Sequence, residues 1–269
     1  MNLKDILVHI DNRQTCASRL AVAVQLATQQ KARLTGLYVI PQPYTAPHLG
    51  DPQQLAAEAR VNFIHAVTSA GLDSGWICVE SVKSGLPLPH ALNLYAHYHD
   101  LLVVSQTDAD APDRVIPASL PERAVLGSGR PVLIVPYTGE FKTLGKRVML
   151  AWRGGPESSR ALHDALPLLR EADSVRVISI QGRGGDETYT AHDADICDHL
   201  LRYQLPISSE KLNAGNLSVG DLLLSRCADD GSDLLVMGAF SQTRHGHQTL
   251  GEVGSHLLKC MTLPVLMSY

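Results

Sequence analysis

A chain of 269 residues with 45% hydrophobic and 19% charged side chains can bury two ordinary cores, which excludes disordered and collagen-like classes. Its formal net charge of −4 offers no electrostatic basis for a nucleic-acid partner. No run approaches the roughly 20 apolar residues of a membrane span, so no membrane association is expected.

The first expected strand is 6–10, Ile-Leu-Val-His-Ile, short and apolar. It runs into Asp11-Asn12, residue types that cap a following helix. Residues 15–30 then place Leu20, Val24 and Ala27 at helical spacing, and 34–40 is a second strand stopped by Pro41 and Pro43. An irregular, proline-rich loop over 42–51 precedes a helix at 53–70, which Gly71 ends. A strand is expected at 76–82, a turn at Ser84-Gly85, a helix at 88–97 and a strand at 101–104. The half closes with a helix at 120–126 and a strand at 132–135.

Residues 137–146 read as a polar linker. The second half restarts with a strand at 148–152, turns at Gly154-Gly155 and places Pro156 at a helix start. A helix at 158–171 and a strand at 175–180 follow. The loop at 182–187 is rich in glycine but lacks the Lys-Ser/Thr ending of a P-loop, so it reads as a connection. Next come a helix at 193–203, a strand at 207–212 and a helix at 219–228. The last stretch holds a strand from Asp233 to Gly238, a polar loop to Gly251, a helix at 255–260 and a strand at 264–267. Short apolar strands alternating with amphipathic helices imply a parallel sheet covered on both faces.

The two halves repeat. Asp100-Leu-Leu-Val-Val-Ser105 matches Asp233-Leu-Leu-Val-Met-Gly238, and Pro131-Val-Leu-Ile134 matches Pro264-Val-Leu-Met267 at the same separation. A preserved separation between two strands marks a tandem duplication. The five cysteines, Cys16, Cys78, Cys197, Cys227 and Cys260, are scattered and never form Cys-x-x-Cys. That pattern favours buried small hydrophobes in a reducing compartment over disulfides or zinc. The N-terminus enters the first strand without a basic and apolar signal segment, so a cytoplasmic protein is expected.

Taken together, Ile6 to Asp11, the paired Asp-Leu-Leu-Val motifs, Ala151-Trp152 with Gly154-Gly155, the loop from Gly238 to Gly251 and the Pro-Val-Leu endings resemble the universal stress protein family in its tandem form. The resemblance implies an α/β fold of two doubly wound, five-stranded parallel-sheet domains over residues 1–138 and 146–269, related to adenine-nucleotide α-hydrolases. It implies an intramolecular pseudo-dimer joined through the last strands, at 132–135 and 265–267. It also implies stress-linked expression and, in some members, ATP at the strand ends; protein partners are expected but not named by the sequence, and a further homodimer is left open.

ATP-binding members carry an aspartate at the end of strand one, then Gly-x-x-Gly after strand four and, further on, Gly-Ser or Gly-Thr. Here those features are divided. The first half has Asp11, but Ser105 stands where the first glycine belongs. The second half has Gly238 and Gly251, with Ser241 for the second glycine, Glu252 for the hydroxyl residue and Arg153 for the aspartate. Glycines let backbone N–H groups approach a phosphate, and a helix N-terminus adds its dipole. The candidate nucleotide-binding residues are therefore Gly238, Ser241, Gly251, Glu252, Val253, Arg153 and Asp11, with ATP as the cofactor the resemblance admits. Glu252 opposes a phosphate, and Arg153 offsets it. Asp11 has a second reading, as a helix cap.

Other constellations read as structural. His90, His97 and His99, and His245 with His247, have metal-compatible spacing but read as solvated, as do His192 and His199; no metal is expected. Ser128 lacks the Gly-x-Ser-x-Gly elbow. The acidic group Asp229, Asp230 and Asp233 reads as a solvated helix-to-strand turn. The first functional expectation is a non-enzymatic stress protein with degenerate nucleotide sites. Beside it stand an ATP- or AMP-binding protein with slow hydrolysis or nucleotide-switched partner binding, and a small-molecule or metal-binding protein on the same fold.

Overall fold

A computed structural model describes residues 2–41, 50–108, 116–182, 193–244 and 247–269, the segments 193–195, 243–244 and residue 247 by backbone alone. The chain divides into two compact units, Asn2–Glu140 and Phe141–Tyr269. The N-terminal unit runs β1 (Asp5–Ile10), α1 (Thr15–Gln30), β2 (Arg33–Ile40), α2 (Pro52–Ser69), β3 (Ser74–Glu80), α3 (Ser81–Ser84), α4 (Leu88–Ala96), β4 (Leu101–Ser105), α5 (Leu120–Gly127) and β5 (Val132–Val135). Its strands are parallel, in the order β3-β2-β1-β4-β5.

The C-terminal unit runs β6 (Arg147–Ala151), α6 (Gly155–Leu169), β7 (Ser174–Gln181), α7 (Asp193–Leu201), β8 (Ile207–Asn213), α8 (Val219–Asp230), β9 (Leu234–Gly238), β10 (Ser241–Arg244), β11 (His247–Leu250), α9 (Glu252–Cys260) and β12 (Val265–Ser268). Its parallel order, β8-β7-β6-β9-β12, repeats that of the first unit. Both units are doubly wound α/β sheets, as the alternation of elements implies.

The central strands are apolar because both faces are covered. Ile6, Leu7 and Val8 of β1 and Leu234, Leu235 and Val236 of β9 are fully buried. Each such side chain contributes about 1.5–3 kcal/mol relative to exposure. The repeated aspartates have a shared structural role. Asp100 accepts from the N–H groups of Lys4 and Asp5 at 2.7 and 3.1 Å, and Asp233 from those of Lys146 and Arg147 at 3.1 and 3.0 Å. In each unit the residue that opens the fourth strand ties down the start of the first. The acidic group expected as a solvated turn is solvated only in part, with Asp229 exposed. Asp233 serves backbone, Asp229 pairs with Arg226 at 3.2 Å, and Asp230 with Arg176 at 2.7 Å.

Departures from expectation include α6, which starts at Gly155 rather than 158, and the following elements. β3 stops at Glu80, because its partner β2 ends at Ile40, and residues 81–84 coil into α3, closed by Gly85 at φ 70°. The polar loop after β9 contains an antiparallel ribbon, β10 with β11. α9 starts at Glu252, earlier than the expected 255, because Gly254 continues the helix instead of interrupting it. Most of the loop at 42–51, most of that at 182–187, and residues His192 and His245 lie outside the described residues. Among the described residues, no helix is long and apolar enough to cross a membrane.

Candidate functional site

In a doubly wound sheet, ligands sit where strand order reverses, outside the carboxyl ends of the two strands that diverge. In the C-terminal unit that point lies between β6 and β9, and a cleft of 590 Å³ opens there. Its floor is the ends of β6, β7 and β9, from Ala151, Ile178, Ile180, Met237 and Gly238. Val219 and Leu223 of α8 and Trp152 add apolar wall, and Phe240 with Gln242 comes from the start of the ribbon.

Two helix starts meet the cleft. Gly154 and Gly155, at φ 80° and 85°, make the sharp turn from β6 into α6, a conformation other residues rarely adopt. Gly251 caps α9, and its own N–H is bonded to the Phe240 carbonyl at 2.8 Å, while Ser255 makes the first helical bond back to Gly251. The N–H groups of Glu252, Val253 and Gly254 therefore have no partner within the helix. Neither start is capped by a side chain. Uncapped N–H groups and the dipole of each helix favour an anion. Arg153 is exposed beside them, its Cζ 5.2 Å from the centre of the Phe240 ring.

Five of the seven candidate residues, Arg153, Gly238, Gly251, Glu252 and Val253, line this cleft. Gly238 has a different reason for being glycine than ligand approach. A Cβ there would lie 2.5 Å from the Glu157 backbone carbon and 2.6 Å from the Ser158 nitrogen, so the glycine lets α6 pack onto β9. Ser241 is outside the cleft lining; its hydroxyl bonds that of Tyr269 at 3.1 Å, and Gln248 bonds the same tyrosine oxygen at 2.9 Å. The sequence reading missed Trp152, Phe240 and the Gly154-Gly155 pair as lining, although the glycine pair was visible as a turn.

Asp11 belongs to the other unit and is neither open nor the cap of α1, whose N-cap position is Gln14. Its carboxylate is 14% exposed, accepts from the Arg13 N–H at 2.8 Å and pairs with Arg19 at 2.9 Å. Arg19 is buried, and its guanidinium also donates to the His9 carbonyl and the Ser105 hydroxyl, both at 2.6 Å. Burial pushes the Asp11 carboxyl up, but Arg19, His9 and the Arg13 N–H outweigh it and hold the carboxyl below its ordinary range. Burial, then Arg19, pushes His9 down to about 3. Ser105 thus stands at the glycine position as part of an internal ion-pair network.

The histidines also separate. His97 is exposed, as expected, but His99 is buried, with Nδ1 2.7 Å from the Tyr95 carbonyl and Nε2 3.6 Å from Asp5. His199 packs between the rings of His163 and Tyr203 rather than standing alone. Among the described residues, no three His, Cys, Asp or Glu side chains gather as a metal site.

Residues 2–136 match the model of the universal stress protein family, and the chain belongs to that family. No curated protein matches the chain. A universal stress protein from Archaeoglobus fulgidus DSM 4304 is 14% identical, with a TM-score of 0.73 over 98% of this chain and 95% of that one. A functionally unknown protein from Pseudomonas aeruginosa PAO1 is 15% identical, with a TM-score of 0.68 over 99% of this chain and 92% of that one. A universal stress protein from Archaeoglobus fulgidus, solved in complex with dAMP, is 14% identical and covers 50% of this chain and 98% of its own, with a TM-score of 0.38. At these identities the full-length likeness concerns the fold.

Proposed function

We propose that this is a stress protein whose C-terminal unit binds a nucleotide and whose output is partner binding rather than turnover. The observation that carries the reading is the convergence, at one switch-point cleft, of the α6 and α9 starts with Arg153. The apolar walls from Trp152, Ile178 and Phe240 suit a base, and the helix starts with Arg153 suit its phosphate. Scattered cysteines support a reducing cytoplasmic setting. The test is mass spectrometry of the freshly purified protein for copurified nucleotide, followed by calorimetric titration with AMP. Binding is expected, and Arg153→Ala is expected to weaken it about tenfold by removing a charge-assisted contact. Absence of copurified nucleotide together with no AMP binding at millimolar concentration overturns the reading.

A further inference from the structure

We propose that the cleft takes a nucleoside carrying a single phosphate, and that Glu157 and Glu252 set this limit by repelling longer phosphate chains. The inference rests on the reading of the cleft as a nucleotide site. Size does not discriminate, because 590 Å³ falls within the general range of small-ligand pockets, about 300–1,000 Å³. Charge does. The ionisable side chains along the cleft are one cation, Arg153, and two carboxylates, Glu157 and Glu252. Each helix start contributes roughly half a positive charge, which brings the lining close to neutral.

The placement of the carboxylates matters more than the sum. Glu252 is the first residue of α9 and is exposed; Glu157 lies in the first turn of α6 and is half-buried. Each therefore sits beside one of the two groups of N–H donors. One phosphate, carrying about −1.5 to −2, gains the guanidinium fork and the open N–H groups. A second and third phosphate add negative charge and meet no further cation in the lining among the described residues, only the two carboxylates.

The experiment is equilibrium titration of the intact protein with AMP, ADP and ATP in EDTA. AMP is expected to bind about tenfold or more tightly than ATP, with ADP between them. Glu252→Ser and Glu157→Gln are each expected to narrow the gap, raising ATP affinity several-fold and AMP affinity by a smaller factor. Both positions are on the protein surface or half-exposed, so the variants retain the fold, which circular dichroism checks. ATP affinity equal to or above that of AMP in EDTA overturns the proposal, as does an equal gain for all three nucleotides in the variants. The series is repeated with Mg²⁺. If Mg-ATP then becomes the tightest ligand and loses that rank in Glu252→Ser, the carboxylates hold a cation and the proposal fails. Failure of all three nucleotides to bind overturns the nucleotide reading itself, and with it this inference.

Discussion

At Gly238 the same residue type serves a purpose different from the one its motif position implies. A Cβ there would overlap the backbone of the first turn of α6, which cannot rotate away as a side chain can. Gly238→Ala is expected to cost about 1–3 kcal/mol through overpacking, measured by urea unfolding, so any loss of ligand in that variant would report a displaced α6. His9 supplies a second test at this scale. Its folded-state pKa, about 3, lies below the ordinary 6.5, so on acidification the unfolded chain takes a proton that the folded chain refuses. The contribution is intact above pH 6.5 and is lost as pH falls toward 3. Asp11, also depressed, adds its loss only below its ordinary 3.8, so the window between pH 6.5 and 4 belongs to His9. Wild-type stability is expected to decline there by a few kcal/mol, on the order of 1.4 per pKa unit, and His9→Gln to flatten the slope. Parallel pH profiles of the two proteins would contradict this.

The elements were legible wherever a periodic apolar run was bounded by polar or turn residues. α1 and β5 were legible to the residue, because the helical spacing of Leu20, Val24 and Ala27 and the run Val132 to Val135 have no competing reading. The ribbon β10–β11 was not, since its polar residues pair with each other beyond the sheet and bury no apolar stripe. Arg19 was equally hidden. A single arginine in an amphipathic helix reads as a surface residue, and its acceptors on His9, Asp11 and Ser105 come together only in the folded unit. Of the cleft lining, Gly238, Gly251 and Arg153 were visible as binding positions of the motif, while the roles of Phe240, Trp152 and the Gly154-Gly155 pair required the cleft. The ribbon offers a test of its own, because Tyr269 bonds Ser241 on one strand and Gln248 on the other. Tyr269→Phe removes that shared oxygen. Faster amide exchange over 241–250 is expected, with a loss of no more than about 1–2 kcal/mol in global stability and weaker ligand binding, since Phe240 and Gln242 lead into the ribbon.

At the scale of the whole molecule, duplication has kept the strand order and the aspartate that fastens the first strand, while the two switch points have diverged in charge. The N-terminal one holds an acid and an arginine that satisfy each other internally, with Ser105 hydrogen-bonded to the same guanidinium. The C-terminal one has its glycine at 238, and an arginine, Arg153, stacked on Phe240 at the edge of a cleft. A carboxylate already held by Arg19 and the Arg13 N–H has little to offer a nucleotide, because a ligand would have to displace a buried ion pair. The chain is therefore expected to bind one nucleotide, not two. Calorimetric stoichiometry near one in wild type checks this directly. Asp11→Asn, which keeps the shape of the side chain but removes its charge, is expected to lower stability by roughly 3 kcal/mol or more as Arg19 loses its partner. The same variant is expected to leave ligand affinity and stoichiometry unchanged, whereas Arg153→Ala weakens binding without a comparable loss of stability. A wild-type stoichiometry of two, or loss of binding in Asp11→Asn while the protein remains folded, would place a working site in the N-terminal unit and contradict this assignment.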